Sequence, residues 1–240
     1  MKAPARPVPL ARLAVPAAAA CAALALAAGP ASAATTTIRQ DTATGAPYAG
    51  NWQIATVGTL NFSTTFLGMN VTGTCDSAQM RGTTTSAGAG ELTAASIGAC
   101  HTSNGFSSPA TDLDLGGVSD RGGQITYDPV QGGRDGAIAI GGDLRITLKG
   151  QVLGITVTCI YGFRTGGADG LTFDVYNRDN PNRPLPDDDL QGKSDAIQLV
   201  RESGSSGVCP SSGTGSGAAI GRGESTAGSG VFDRKLYLTS

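Results

Sequence analysis

His101 is the only histidine among the 240 residues, so a Ser-His-Asp relay in this chain would have to run through it. It follows Cys100 and precedes the turn-like stretch Thr102-Ser103-Asn104-Gly105, and no G-x-S-x-G nucleophile elbow occurs in the sequence. These neighbours point to a surface histidine in a loop. A single histidine also excludes a His-rich metal site within one chain. Carboxylates could hydrolyse glycosides without it, because that chemistry needs only a proton donor and a second carboxylate across the scissile bond. The glutamates are Glu91, Glu202 and Glu224. Asp112 and Asp114 alternate with Leu113 and Leu115 as on a solvated strand face, and with one tryptophan and few other aromatics there is little from which to build a sugar-stacking cleft.

The most unusual local stretch is Asp179-Asn180-Pro181-Asn182-Arg183-Pro184-Leu185-Pro186-Asp187-Asp188-Asp189. Oxygen-rich loops can wrap calcium, which takes six to eight oxygen ligands, and an extracellular loop can hold it weakly. Asp179, Asn180, Asn182, Asp187, Asp188 and Asp189 are the candidate ligands. The spacing is not that of an EF-hand, and three prolines favour an extended, exposed turn that is solvated or meets a partner. Trp52 with Tyr48, Tyr127, Tyr161 and Tyr176 offers a second candidate, a stacking platform for flat ligands. An early strand carrying Trp52 favours a core position beside a disulfide. The paired glycines, Gly116-Gly117 and Gly132-Gly133, lack the strand-then-helix setting of a phosphate loop and read as turns.

Cys75, Cys100, Cys159 and Cys209 lie in the body of the chain with no C-x-x-C pair among them, which argues against zinc and redox motifs and for structural disulfides. Four cysteines allow three connectivities. Sequential pairing, Cys75–Cys100 and Cys159–Cys209, is the expected one because each bond then ties a strand end to a nearby loop. The shorter closure is worth about 3 kcal/mol in the chain-entropy picture, and the longer one somewhat more.

Lys2, Arg6 and Arg12, an Ala/Leu-rich run from about Leu13 to Ala28, and Ala31-Ser32-Ala33 have the layout of a cleavable export signal over residues 1–33. Cys21 lacks the surroundings of a lipidated cysteine, and no other apolar stretch reaches the roughly 20 residues of a membrane span. Without the three basic residues, 14 Lys and Arg stand against 19 Asp and Glu, a net charge of about −5. Charge reads as evenly sprinkled, with no basic cluster for nucleic acid or anionic lipid.

The elements that must position these residues read as strands. Leu144, Ile146 and Leu148 alternate with Asp143, Arg145, Thr147 and Lys149, and Ile155, Val157, Cys159 and Tyr161 repeat the period after a glycine turn. A hairpin is expected over Asp143–Phe163. Further strands are expected over Trp52–Phe62, Gly68–Cys75, Glu91–Cys100, Gln124–Tyr127, Leu171–Tyr176, Ala196–Arg201 and Val231–Leu238, with no helical stripe. The fold class is therefore all-β: an antiparallel β-sandwich, Ig-like or jelly-roll-like, with a β-barrel as alternative. Residues 34–240 form one domain, with a Ser/Gly-rich loop at about 203–230.

Val71-Thr72-Gly73-Thr74-Cys75, Ile97-Gly98-Ala99-Cys100, Thr158-Cys159-Ile160-Tyr161-Gly162 and Val208-Cys209 follow in order, behind an export signal and ahead of a closing strand from Phe232 to Tyr237. This order resembles a group of secreted four-cysteine β proteins of actinobacteria. The resemblance implies the β fold and the sequential pairing and no catalytic residue, and it leaves Asp179–Asp189 without a counterpart. Together these readings give a secreted, non-enzymatic protein, envelope-associated or a binding module, whose partner would be cell-wall polysaccharide or another secreted protein. The alternatives are a secreted protease inhibitor, presenting the acidic loop or the loop at Cys209-Pro210, and a hydrolase using carboxylates. No cofactor is expected beyond weakly held calcium.

Overall fold

The computed structural model describes residues 35–116, 121–152 and 154–240. The expected signal segment, with Cys21, lies outside them. The described residues form strands and turns with no helix, joined into one antiparallel network. Two long strands organise it: β15 (Leu190–Arg201) and β16 (Ser212–Gly223) pair along their length and run through both halves of the molecule. A register shift between Ser194 and Ile197 marks where β15 passes from one half to the other, since an extra residue bends and twists a strand.

In the first half, Leu190–Lys193 and Ala219–Gly223 of the long strands join β14 (Ala168–Tyr176), β11 (Gly136–Gly141) and β10 (Gly122–Tyr127) on one side. On the other they join β2 (Gly50–Thr56), β5 (Ala78–Thr84) and β6 (Ala89–Ile97). β6 meets β10 over three residue pairs and also pairs with the short β9 (Thr111–Asp112). In the second half, Gln198–Arg201 and Gly213–Ser216 join β13 (Ile155–Thr165) and β12 (Arg145–Val152) on one side. On the other they join β3 (Leu60–Phe66), β4 (Met69–Cys75), β7 (Cys100–Thr102) and β8 (Ser107–Ser108). Among the described residues no ladder joins β8 to β12. Ser108 Oγ instead accepts the Lys149 amide at 3.1 Å. The first-half ladders return on themselves through β6 and β10 while the second half stays open between β8 and β12, so the network as a whole folds over into facing layers, sandwich-like, and is not one closed barrel.

The strand pattern follows alternation. In the hairpin expected over Asp143–Phe163, Ile146 lies opposite Tyr161 and Leu148 opposite Cys159. Leu144, Ile146, Val157, Cys159, Tyr161 and Phe163 are buried, while Arg145 and Lys149 point the other way. Gly166 and Gly167 turn β13 into β14 with φ of 59° and 87°, the signature of a two-residue type I′ hairpin. Trp52 is in the core as expected. Its neighbours are Gly82, where a Cβ would stand 2.8 Å from Trp52 Cε2, and the Thr83 carbonyl, which accepts its Nε1–H at 3.0 Å.

One end of the core is capped by the chain termini of the body. β1 (Thr37–Gln40) pairs with β17 (Arg234–Thr239) and brings Ile38, Leu236 and Leu238 inward, each no more than 3% exposed. Buried Asn177 locks the cap by accepting from the Leu238 amide at 2.7 Å and donating to its carbonyl at 2.9 Å.

The loop expected at about 203–230 is corrected: its centre is β16, one of the two longest strands. Gly213, Gly215, Gly217, Gly221 and Gly223 alternate with larger residues, a true period of two. Glycine is depleted in strands, and its apolar face here consists of absent side chains, so the composition reads as linker. The space is taken by others: a Cβ on Gly217 would stand 2.5 Å from Leu60 Cδ2, and one on Gly223 2.6 Å from Tyr48 Cζ.

Candidate functional site

Both disulfides form with sequential pairing. Cys75 and Cys100 are directly opposed across β4 and β7, and Cys159 on β13 is tied to Cys209, 50 residues on. The Ser205 hydroxyl accepts the Ile160 amide at 2.9 Å and the Ser206 hydroxyl accepts the Thr158 amide at 3.1 Å. The segment before Cys209 is therefore laid along β13 as an extra wall.

Behind these two disulfides lies an apolar cavity of about 400 Å³. Its walls come from β3 and β4, from β12 and β13, and from the second-half stretches of β15 and β16, with Phe62, Leu148, Val157, Phe163, Ile197 and Leu199 prominent. No Asp, Glu, Lys, Arg or His lines it. Tyr161 is the titratable phenol in the lining, and burial pushes it up to about 12. Glycines of β16 create part of the space. Gly215 lies opposite Phe62 and Ile197 and so faces inward, and a Cβ there would meet nothing closer than 3.7 Å.

At about 24 cal/mol per Å³ a dry void of this size would cost on the order of 10 kcal/mol. That matches the whole folding free energy of an ordinary domain, about 5–15 kcal/mol. The space is accordingly not a sealed packing defect, and its lining reaches the surface. Leu67, Ile155 and Val208 belong to the lining and are 82%, 68% and 52% exposed. Ligand pockets typically span roughly 300–1,000 Å³ with mostly apolar walls. At about 30 Å³ per water-sized group, the cavity holds on the order of a dozen methylene-sized groups, an acyl chain or a small fused-ring body.

A second, open groove of about 570 Å³ runs over the outer face of the same strands. It is lined by Asn61, Ser63, Thr72, Thr74, His101 and Asp195 among others. His101 stands exposed on β7, not in a loop, and its Nδ1 lies 3.0 Å from Ser107 Oγ. No described residue hydrogen-bonds its other ring nitrogen, and Asp195 in the same groove pairs with Lys193 at 2.9 Å. A serine and an imidazole meet here without the third group that orients a relay.

The three glutamates stand in separate contacts. Glu91 pairs with Arg121 at 3.4 Å and Glu202 with Arg164 at 2.8 Å. Glu224 accepts from the Gly230 and Gly228 amides and from Asn51, and those backbone donors hold its carboxyl below the ordinary range.

The six candidate loop residues are not brought to one point. Asp179 accepts from Tyr237 at 2.8 Å, and Asp188 pairs with Lys235 at 2.6 Å. Buried Asp189 takes a two-point contact from Arg222 at 2.7 and 3.2 Å. Asn180 donates to the Gly133 carbonyl and to Asp135, and its own oxygen accepts the Asn182 amide at 2.8 Å. Asp187 contributes its carbonyl to Gln191. Gln191, 1% exposed, also clasps both the amide and carbonyl of Leu185. Among the described residues no cluster of three or more acidic, cysteine or histidine side chains could hold a metal, and no helix is long and apolar enough to cross a membrane.

Sequence reasoning missed the cavity altogether. Its signals were present: inward-facing glycines at alternate positions of 213–217, and long stretches without charge.

The chain matches no protein-family model, no curated protein and no solved structure.

Proposed function

We propose that this chain is an exported, non-enzymatic binding module whose ligand is an apolar or amphiphilic small molecule, its hydrocarbon part held in the cavity between β3–β4 and β12–β13. The observation that carries this reading is a space of about 400 Å³ with an apolar, charge-free lining that reaches the surface at one end. The export-signal pattern over residues 1–33 and the two disulfides support a place outside the cytoplasm, where disulfides persist. A ligand of this kind is recognised by burial, worth roughly 25 cal/mol per Å² of apolar surface, with few polar contacts. Tyr161 and the hydroxyls nearest the mouth are the groups available to a polar head.

The direct experiment is native mass spectrometry of the oxidised protein, residues 34–240, mixed with an uncharged long-chain alcohol or monoacylglycerol. A saturating one-to-one adduct is expected. Its absence across chain lengths would remove the reading.

The hydroxyl-lined outer groove supports a second reading, a polysaccharide partner, because Asn61, Ser63, Thr72 and Thr74 form an open polar row. Retention on isolated cell wall, lost on replacing Thr72 and Thr74 by valine, would favour it.

A further inference from the structure

Four segments gather at the end of the molecule where the cavity opens: Phe66–Met69, Thr102–Phe106, the start of β13 at Ile155, and the Glu202–Ser212 segment. Their common placement follows from register. Thr64 lies beside Gly213, Ser103 donates its amide to the Thr72 carbonyl, and Ser206 donates to the Thr158 carbonyl. Four of the eight large apolar side chains that the described residues leave exposed stand here: Leu67, Met69, Ile155 and Val208.

Charge is sparse at the same end, where Arg201 donates to the Cys209 carbonyl at 2.6 Å and Glu202 pairs with Arg164 at 2.8 Å. Residues 42–75, 150–163 and 203–221 contain no Asp, Glu, Lys or Arg, and 92–111 contain only His101 as a titratable base. Charge is therefore not evenly sprinkled, as the sequence suggested. Other ion pairs lie elsewhere, for example Arg134 with Asp128 and Asp174, and Arg222 with Asp189. Leu67 adds a third sign. It is the first central residue of a type I′ turn with Gly68 and is held at a φ of 49°, where glycine or asparagine is the usual choice. A bulky apolar residue kept in the left-handed region and exposed to water marks a site where shape is set by something other than folding.

We propose, taking the cavity as a ligand site, that this charge-poor rim docks on an electroneutral lipid surface. Leu67, Met69, Ile155 and Val208 would enter the hydrocarbon boundary, so that the ligand passes between lipid and cavity without crossing water. The occupant is lipid with an uncharged or zwitterionic surface, because the rim carries no cluster of cations to attract anionic headgroups: Arg201 there is engaged by the Cys209 carbonyl, and Glu202 is paired with Arg164.

The test is flotation of the oxidised protein with phosphatidylcholine vesicles, with and without phosphatidylglycerol, at low and high salt. Wild type is compared with Met69→Asp, a rim residue that stands outside the cavity lining, and with Gly215→Phe. Expected is co-flotation on phosphatidylcholine alone that salt does not weaken. The rim variant should lose it by tenfold or more while still taking up an uncharged apolar fluorophore from solution, and Gly215→Phe should float but not take up the fluorophore. Uptake lost in wild type with flotation intact would sink the cavity reading alone. No flotation, flotation unchanged in the rim variant, a requirement for phosphatidylglycerol, or self-association abolished by the rim substitution would overturn the docking proposal.

Discussion

The ring of Phe62 lies over Gly73, its direct partner across the β3–β4 ladder: a Cβ on Gly73 would come within 2.6 Å of Phe62 Cε2 and 2.7 Å of the His101 carbonyl. Phe62 is thereby held back against the cavity wall by the lack of a side chain opposite it. Gly73→Ala should push the ring into the cavity and press on β7, costing about 1–3 kcal/mol as overpacking does. Thermal unfolding and apolar-probe uptake should fall together. Unchanged uptake at lowered stability would show that Phe62 does not set the volume of the cavity.

The disulfides should differ in what they protect. In the chain-entropy model the Cys159–Cys209 closure of 50 residues is worth about 4 kcal/mol, and the Cys75–Cys100 closure of 25 about 3.5 kcal/mol. Replacing Cys159 and Cys209 by alanine should lower the urea-unfolding free energy by up to that amount. It should also free the segment bearing Val208 and Pro210 from β13, raising amide exchange at Ser206–Cys209. Removing Cys75 and Cys100 should destabilise without that local signature.

Leu67 carries a cost that the fold does not need. Left-handed backbone costs a non-glycine residue roughly 1–2 kcal/mol, and asparagine tolerates it better. Leu67→Asn should therefore raise the unfolding midpoint by the equivalent of about 1 kcal/mol. A fall in stability would mean that Leu67 packs in a way its 82% exposure does not indicate.

Glu224 should make the fold acid-sensitive. Its carboxyl is held below the ordinary range, first by the Gly230 and Gly228 amides and then by Asn51, against the opposing effect of burial. A folded-state value lower than the unfolded one, which lies near about 4.3, gives stability that is fully present above the unfolded value. That stability is lost as pH falls through the folded one. Urea midpoints measured from pH 6 down to pH 3 should drop, and Glu224→Gln should start lower and drop less. Parallel curves for the two proteins would remove Glu224 as the cause.

Much of the architecture was legible in the residues. The Asp143–Phe163 hairpin alternates cleanly because one face of each strand is buried, and the cysteine pairing follows from strand ends lying near loops. β16 was not legible, because Gly213, Gly215 and Gly217 show their packing role only against Phe62, Leu60 and Ile197 from distant segments. The contacts of the acidic stretch were hidden for the same reason. Asp179, Asp188 and Asp189 look like a cluster in sequence, yet the fold sends them to Tyr237, Lys235 and Arg222. A cavity is made by the side chains that surround it, on strands far apart in sequence, so the alternate glycines at 213–217 acquire their meaning only once those strands are brought together.

Gly215→Phe would fill the cavity and so decides whether it is the ligand site. The position is on a strand, its Cβ would meet only ordinary contacts, and the added ring would enter the cavity. Replacing a strand glycine and filling space should leave stability equal or higher by about 1 kcal/mol. The measurement is a fluorescence titration of wild type and variant with N-phenyl-1-naphthylamine, an uncharged apolar probe, alongside thermal unfolding. A saturable single site in wild type, abolished in a variant at least as stable, is the predicted result. A variant that binds like wild type, or a wild type that shows no saturable uptake, would contradict the assignment of the cavity as the ligand site.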